Sequence, residues 1–185
     1  MKPKEYLLEA IHSLSKKHPF DDITVEMILR EADVSRGTFY KYYRDKYDLA
    51  NSYYSDYVSS HILTKYNGLN WEDCLKEMLL FIKQNQDYFK IMISNCRTDF
   101  LSFISSFGLK RYQRVYMHNL GISQLSQDQI YELEFYNAGC VRIFSLWIEN
   151  GCNIPIENLV KMFFSLMPEK FTSILYSNPV ETGSD

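Results

Sequence analysis

Apolar side chains recur at helical spacing along most of the chain. The first such pattern is Leu7, Ala10, Ile11 and Leu14, at positions i, i+3, i+4 and i+7, which places all four on one face of a helix. Pro19 marks the end of this segment, because the residue before a proline avoids the helical region. No stretch alternates with period two for long enough to predict a strand. The pattern therefore predicts an all-α fold.

Three short segments follow, and each begins with a residue suited to cap a helix. Thr24 offers its side-chain oxygen to a second helix, and Ser35 does the same for a third helix over about 36–42. Asp45 caps a fourth helix that runs to about Thr64. Two short helices joined by a tight turn, with another helix in front, are typical of a helix-turn-helix module.

The composition of the chain changes after the turn cluster at residues 67–70. The later segments are longer and richer in Phe, Met and Leu. We therefore expect two domains, residues 1–65, with the helix-turn-helix at about 24–43, and residues 66–185. Later helices are expected over about 71–84, 87–95, 98–119 and 127–149, with a possible kink at Gly108 and a last amphipathic helix that Pro168 ends or kinks.

Composition excludes several classes of protein. With 46% apolar and 23% charged residues the chain is not largely disordered. The cysteines (74, 96, 140 and 152) form no CxxC and have no paired histidine, so we expect no metal and no cofactor. The chain contains no HExxH, nucleophile elbow or phosphate loop, and no catalytic residue is assigned. Without a long apolar run or an apolar leader, it is expected to be a soluble cytoplasmic protein without a membrane partner.

Positive charge is local rather than global. The whole chain has a net charge of −3, but residues 36–46 hold four basic residues and one acid, a net +3. Residues 21–33 hold five acids and one arginine, a net −4. A basic face on a neutral module favours nucleic-acid contact through the third helix, beside an acidic flank.

The third helix begins with small and polar residues, as a helix that reads base edges must. Arg36 can form a bidentate pair with guanine O6 and N7, Gly37 lets the backbone approach closely, and Thr38 can reach a phosphate or a thymine methyl group. The alternative is an aromatic-rich helical hairpin whose exposed Tyr and Lys side chains are only solvated surface.

Residues 24–28 (Thr-Val-Glu-Met-Ile) and 32–49 (Ala-Asp-Val-Ser-Arg-Gly-Thr-Phe-Tyr-Lys-Tyr-Tyr-Arg-Asp-Lys-Tyr-Asp-Leu) resemble the DNA-binding module of the TetR family of bacterial transcriptional regulators. Two positions depart from the family pattern: Asp33 stands where the turn usually has Gly, and Tyr43 where Phe is common. Asp tolerates the left-handed turn conformation, and Tyr preserves the aromatic packing body. Asp33 also adds a negative charge near DNA.

The resemblance implies a homodimeric repressor that places the third helix of each subunit in successive major grooves of a double-stranded operator. It implies base readout by Arg36 and Lys41, and backbone positioning by most of the other contacts. The full set of implied DNA contacts is Thr24, Arg36, Gly37, Thr38, Tyr40, Lys41, Tyr42 and Lys46.

The second half, with residues 136–140 (Tyr-Asn-Ala-Gly-Cys) and 147–151 (Trp-Ile-Glu-Asn-Gly), resembles the C-terminal domain of Firmicutes TetR-like proteins. The resemblance implies a helical ligand-binding and dimerisation domain whose last two helices pair across a twofold axis. An intramolecular core is the alternative for the residues concerned. The dimerisation candidates are Ala138, Gly139, Phe144, Trp147, Ile148, Leu159 and Phe163.

The family also implies an unidentified small-molecule effector bound among polar groups of the second half. The candidate contacts are Tyr88, Arg97, Tyr112, Asn137 and Arg142. The two arginines could hold an anion, although each also suits a surface or paired position. Two other functions stay open: an adaptor or coactivator that keeps the fold and works through a protein partner, and a small-molecule carrier without DNA binding.

Overall fold

A computed structural model of the chain describes residues 2–64, 71–95 and 99–175. Within these ranges the structure has ten α-helices and no β-strand, so the predicted all-α class is confirmed. The turn cluster at 67–70, where the sequence suggested a domain boundary, lies outside the described residues. None of the described helices is both long enough and apolar enough to cross a membrane.

The N-terminal helices are α1 (Pro3–Ser15), α2 (Val25–Ala32), α3 (Arg36–Tyr42) and α4 (Lys46–Tyr57), and α4 continues into a π-helical segment (Val58–Leu63). Helix α1 packs against both α2 and α4. Leu7 and Ile11 of α1 are fully buried together with Ile28 of α2, as their helical spacing predicts.

Side-chain caps fix where the helices of the helix-turn-helix begin. The hydroxyl groups of Thr24 and Ser35 each accept a hydrogen bond from the backbone N–H three residues later, at 3.2 and 3.1 Å. The carboxylate of Asp45 accepts from two N–H groups in the first turn of α4. Asp33 ends α2 with φ 51° and ψ 48°, the left-handed conformation expected of it. The turn that separates α2 from α3 is therefore built by side chains and one strained residue.

The C-terminal helices are α5 (Trp71–Gln84), α6 (Gln86–Ser94), α7 (Phe100–Leu120), α8 (Gln127–Glu149), α9 (Ile156–Ser165) and α10 (Glu169–Leu175). Pro168 separates α9 from α10, as its effect on helices predicts. Gly108 lies within α7, which is one continuous helix from Phe100 to Leu120. A Cβ there would lie 3.1 Å from Oδ1 of Asn137 on α8, so this glycine permits the close packing of α7 on α8.

A buried aromatic cluster joins the N-terminal helices to the rest of the chain. The ring of Tyr54 on α4 meets those of Phe89, Phe100 and Phe107 edge to face, with centroid distances of 6.2, 6.1 and 5.8 Å. Such pairs stabilise a core by about 0.5–1.5 kcal/mol each beyond the area they bury. Helix α4 is therefore anchored in the C-terminal core, while its first residue, Lys46, contacts the turn between α1 and α2.

Candidate DNA interface and internal cavity

Helix α3 has one buried face and one exposed face. Phe39 is completely buried, whereas Tyr40 and Tyr42 are 49% and 40% exposed. Arg36 and Lys41 are exposed on the same helix. The predicted DNA contacts outside α3 are Thr24, exposed before α2, and Lys46, half-buried at the start of α4. None of the eight residues is buried. Six of them belong to α3, and Thr24 and Lys46 lie at the starts of α2 and α4.

Arg36 is tethered to the neighbouring helix α2. Its guanidinium lies 3.0 Å from a carboxylate oxygen of Glu26 and 5.7 Å from the centre of the Tyr40 ring. Both charged side chains are more than half exposed, so the pair is worth only about 0–1 kcal/mol. A guanine contact by Arg36 therefore requires the release of Glu26, at small cost.

Gly37 and Thr38 follow Arg36 on the first turn of α3. A Cβ at Gly37 would have only the Ser35 hydroxyl within 4 Å, at 3.9 Å, so the backbone here is open to solvent. The hydroxyl of Thr38 is 2.9 Å from that of Ser35. Both residues are thus available to a ligand that approaches the start of the helix.

The ammonium of Lys46 has a structural use that the sequence did not suggest. It donates to the backbone carbonyls of Phe20, Asp21 and Ile23 at 2.8, 2.9 and 2.7 Å. An ammonium has three protons, and all three have acceptors within the chain. Lys46 therefore fastens the turn between α1 and α2 to the start of α4, and a phosphate contact would have to displace one of these carbonyls. Sequence patterns do not reveal backbone acceptors more than twenty residues away.

An internal cavity of about 130 Å³ lies between α4, α5, α7, α8 and α9. Its wall is mostly aliphatic and aromatic, and Tyr112 and Asn137, two of the predicted ligand contacts, are part of it. The amide of Asn137 donates to the backbone carbonyl and the hydroxyl of Ser105, at 3.1 and 2.9 Å. The cavity also includes Tyr54 and Val58, from α4 and its π-helical continuation.

Tyr88 and Arg142, two further predicted ligand contacts, do not line this cavity. Tyr88 is buried elsewhere and donates its hydroxyl to the carbonyl of Ala50 on α4 at 2.9 Å, and burial raises the pKa of its phenol. Arg142 is exposed on the outer face of α8 and lies 3.3 Å from Glu149. Arg97 lies outside the described residues. Tyr88 is thus a core residue that joins α6 to α4, and Arg142 is a paired surface arginine.

The polar groups of the cavity wall include those of Arg111 and Trp71, which the sequence did not suggest as ligand contacts. The guanidinium of Arg111 lies 5.0 Å from the centre of the Trp71 ring, which stacks on Tyr112 at 5.3 Å. Burial lowers the pKa of Arg111. Arg111 follows Ile104, Phe107 and Gly108 of α7, which also line the cavity, at helical spacing, and that spacing could have identified it.

Helix α8 separates the predicted dimerisation residues by face. Trp147 and Ile148 are 2% and 1% exposed, as are Leu159 and Phe163 of α9 at 0% and 6%, so the structure places these four in the core of the chain. Phe144 lines the cavity. Ala138 and Gly139 are exposed. The helical repeat accounts for this split, because positions 144, 147 and 148 point away from 138 and 139.

Large apolar side chains lie on the exposed face of α8 instead. Phe135 is 87% exposed, Tyr131 65% and Leu146 39%, and at about 100° per residue they share one face with Ala138 and Gly139. Met162 of α9 and Leu166, which directly follows this helix, are also exposed, at 37% and 59%. The hydroxyl of Tyr136 donates to the carbonyl of Phe163 at 2.9 Å and holds the two helices together.

Two family models match the chain, and between them they span most of it. The model described as bacterial regulatory proteins of the tetR family matches residues 7–53, and one described as a transcriptional regulator C-terminal region matches residues 69–169. No curated protein matches the chain by sequence. The module that carries the exposed α3 face thus defines a helix-turn-helix regulator, and the chain belongs to the TetR family of DNA-binding transcriptional regulators.

Solved structures share this fold at low identity. The dihydroxyacetone kinase operon activator DhaS has a TM-score of 0.63 and 16% identity, covering 92% of this chain and 96% of that one. The TetR family repressor AlkX from Dietzia sp. strain DQ12-45-1b, implicated in n-alkane biodegradation, has a TM-score of 0.55 and 12% identity, covering 94% and 97%. A putative TetR-family regulator from Syntrophomonas wolfei has a TM-score of 0.50 and 15% identity, covering 97% and 98%. These likenesses concern the fold alone.

Proposed function

We propose that the chain is a homodimeric, cytoplasmic repressor whose α3 helices bind an operator and whose internal cavity takes up a small molecule that releases it. In this proposal residues 1–65 bind DNA, and residues 66–185 dimerise and hold the ligand. The observation that carries the DNA-binding part is the division of α3, with Phe39 fully buried and Arg36, Tyr40 and Lys41 exposed on the other side.

Arg36 is the residue that we assign to base readout, with Lys41 beside it. Its guanidinium can donate to both guanine acceptors in the major groove once it leaves Glu26, and a bidentate pair of this kind discriminates by about 1–3 kcal/mol. Thr24, Thr38, Tyr40 and Tyr42 have hydroxyl groups that suit phosphate oxygens, which position a protein without reading sequence. Gly37 has no side chain to keep the backbone away.

The exposed apolar face of α8 and α9 is the surface that we assign to the second copy. Phe135 and Leu166 are large apolar side chains that a single chain leaves exposed to water. Gly139 lies on the same face of α8 as Phe135, and a Cβ added there would have nothing within 4 Å. Several large apolar side chains exposed on one helix face, as on α8, are typical of an interface. A twofold axis would bring each face against its own copy and set two α3 helices about 34–36 Å apart.

Helix α4 is the element that would connect the cavity to the DNA interface. It begins at Lys46, which fastens the turn before α2, and its last turns supply Tyr54 and Val58 to the cavity wall. The distance along a helix from 46 to 58 is about 18 Å. A ligand that displaced the cavity end of α4 would change the position of α3, and release would follow its differential affinity for the two positions.

DNase I footprinting of the purified protein on the DNA upstream of its own gene tests this function. We expect protection of two half-sites about one helical turn apart, and loss of protection with Arg36→Ala at matched dimer concentration. Arg30→Ala is the control, because Arg30 is exposed near the end of α2 outside the predicted contact set. Protection of a single half-site, or none anywhere in a genomic binding selection, would contradict the proposal.

A protein-directed adaptor is the second candidate function. It is favoured by the acidic side chains beside the recognition helix, since Glu26 pairs with Arg36 and Asp33 is exposed at the turn. The solved relative DhaS is titled an operon activator, whereas AlkX is titled a repressor. Sequence-independent weak DNA binding together with specific capture of one protein by the intact chain, abolished by Tyr40→Ala, would favour the adaptor over the repressor.

A further inference from the structure

The internal cavity contains a cation with no carboxylate beside it. Burial lowers the pKa of Arg111, and the other groups that act on its charge are the thiol of Cys74, the phenols of Tyr54 and Tyr112 and the like charge of Arg114. Among the described residues, none of these groups is a carboxylate. Arg111 is half-buried, and its Nη2 atom is buried. A buried charged nitrogen in a native protein is ordinarily paired, so the missing partner requires an explanation.

Two hydrogen-bond donors without acceptors lie in the wall of the same cavity. Nη2 of Arg111 and Nε1 of Trp71 are both buried, and neither has a hydrogen-bond partner among the described residues. Leaving a buried donor unsatisfied is unfavourable, more so when it belongs to a charged group. Both side chains line the cavity, and the Arg111 guanidinium lies 5.0 Å from the Trp71 ring. An acceptor placed there would satisfy both groups.

The remainder of the cavity wall is mostly apolar, and the cavity volume indicates the size of an occupant that would fill it. Its volume of about 130 Å³ is close to that of an apolar cavity that takes up benzene, about 150 Å³. Leu79, Ile82 and Ile104 offer no hydrogen bonds, while the stacked pair of Trp71 and Tyr112 offers flat aromatic faces. The wall therefore suits one ring or a short hydrocarbon chain.

We propose that the effector is a small organic monocarboxylate, with an apolar body the size of one aromatic ring in the cavity and its carboxylate against Arg111 and Trp71. This proposal rests on the ligand-release function above and names the chemistry of that site. Arg111 and a carboxylate form the planar, two-fold hydrogen-bonded pair that arginine favours. A phosphate monoester is disfavoured, because it has close to two negative charges and the site has one cation.

Isothermal titration calorimetry of the full chain, without DNA, tests the proposal. The anionic probes are benzoate, phenylacetate and hexanoate, and benzamide is the neutral counterpart of benzoate. We expect at least one anion to bind, at least tenfold more tightly than benzamide or hexanamide. Trp71 fluorescence, followed in a Trp147→Phe background, is expected to change on binding, because Trp71 lines the cavity and Trp147 does not.

Variants of two arginines on α7 provide the matched comparison. Arg111→Met is expected to weaken the binding of the anion at least tenfold and to leave the weaker benzamide binding unchanged, which also shows that the cavity is intact. Arg114→Met is expected to leave both unchanged, because Arg114 is exposed and does not line the cavity. Arg111→Lys is expected to retain part of the affinity, since it keeps the charge but not the planar fork.

Three results would overturn the proposal: no binding of any of the three anions, benzamide binding as tight as benzoate, or unchanged benzoate binding in Arg111→Met. The experiment separates this proposal from the function on which it rests. Anion binding without any effect on DNA affinity would leave the carboxylate site in place and contradict release by ligand. DNA binding that no carboxylate affects, with no anion bound, would contradict the carboxylate site alone.

Discussion

The guanidinium of Arg36, on the recognition helix, is paired with the carboxylate of Glu26 on the preceding helix at 3.0 Å. The pair spans the turn of the helix-turn-helix and holds the candidate base-reading side chain against its own module. Because both side chains are exposed, this tether is weak and DNA can displace it. If Arg36 reads a base as proposed, the affinity for DNA includes the small cost of breaking this ion pair.

Removing the charge of Glu26 is expected to strengthen DNA binding. Glu26→Gln keeps the shape of the side chain, frees Arg36 and removes one negative charge close to the phosphates, so we expect severalfold tighter binding to specific and unrelated duplexes alike. Fluorescence anisotropy at fixed salt measures the change. Glu31→Gln is the control, because Glu31 is on the same helix but pairs with Lys17. Unchanged affinity in Glu26→Gln would show that the tether plays no part.

Arg36→Ala is expected to reduce discrimination rather than binding as such. We expect a loss of about 1–3 kcal/mol on the specific site and a much smaller loss on an unrelated duplex. Competition between the two duplexes in one titration measures the ratio directly. An equal loss on both would assign Arg36 to a phosphate instead.

Gly37→Ala separates folding from DNA binding. The position is in a helix and open, so the added methyl group should raise the free energy of unfolding by about 0.5–1 kcal/mol. The same methyl group would stand between the helix start and the DNA, and we expect at least a tenfold loss of affinity. Urea unfolding and anisotropy on the same preparation test the two effects. Affinity equal to that of the parent chain would rule out close backbone approach at Gly37.

Replacing Lys46 is expected to lower the stability of the chain, whereas replacing Lys41 is expected to lower its affinity for DNA. Lys46→Ala leaves three backbone carbonyls without their charged donor, and we expect the free energy of unfolding to fall by about 1–3 kcal/mol. Lys41 has no hydrogen bond to the described residues and lies 5.7 Å from the Tyr42 ring, so Lys41→Ala should leave stability unchanged. It should instead lower the slope of log affinity against log salt by about one. The reverse assignment of the two effects would make Lys46 the phosphate contact.

Phe135→Glu and Phe163→Ala are expected to affect different properties, the first dimerisation and the second the stability of the single chain. Phe135→Glu alters an 87% exposed side chain and should leave the single chain folded but monomeric. Phe163→Ala removes a buried ring and should cost about 3–5 kcal/mol of stability by leaving a cavity. Analytical ultracentrifugation and thermal unfolding distinguish the outcomes. A stable dimer of Phe135→Glu would place the interface elsewhere.

Local signals in the sequence were sufficient to predict where the helices of the helix-turn-helix begin. Capping residues are read from the chain itself, and Thr24, Ser35 and Asp45 begin their helices as predicted. The left-handed conformation of Asp33 likewise follows from the tolerance of its side chain for positive φ. Helical spacing of apolar residues was enough for the all-α fold.

Side-chain roles that depend on partners distant in sequence could not be predicted as well. Tyr88 and Arg142 looked alike in sequence as polar groups among apolar ones, but one is buried on Ala50 and the other pairs with Glu149 at the surface. Trp147 is aromatic and suited to an interface, yet the helical repeat turns it inward. Arg111 was overlooked, although its helical spacing from Phe107 and Gly108, which line the same cavity, could have identified it.

The most direct test of the regulator is fluorescence anisotropy of the purified protein on the DNA upstream of its own gene, with an unrelated duplex of equal length, across a salt series. The account predicts tight binding to the upstream DNA, at least a hundredfold weaker binding to the unrelated duplex, and affinity that falls steeply with salt. Equal, weak binding to both duplexes, repeated with sites recovered from a genomic selection, would contradict sequence-specific recognition through α3.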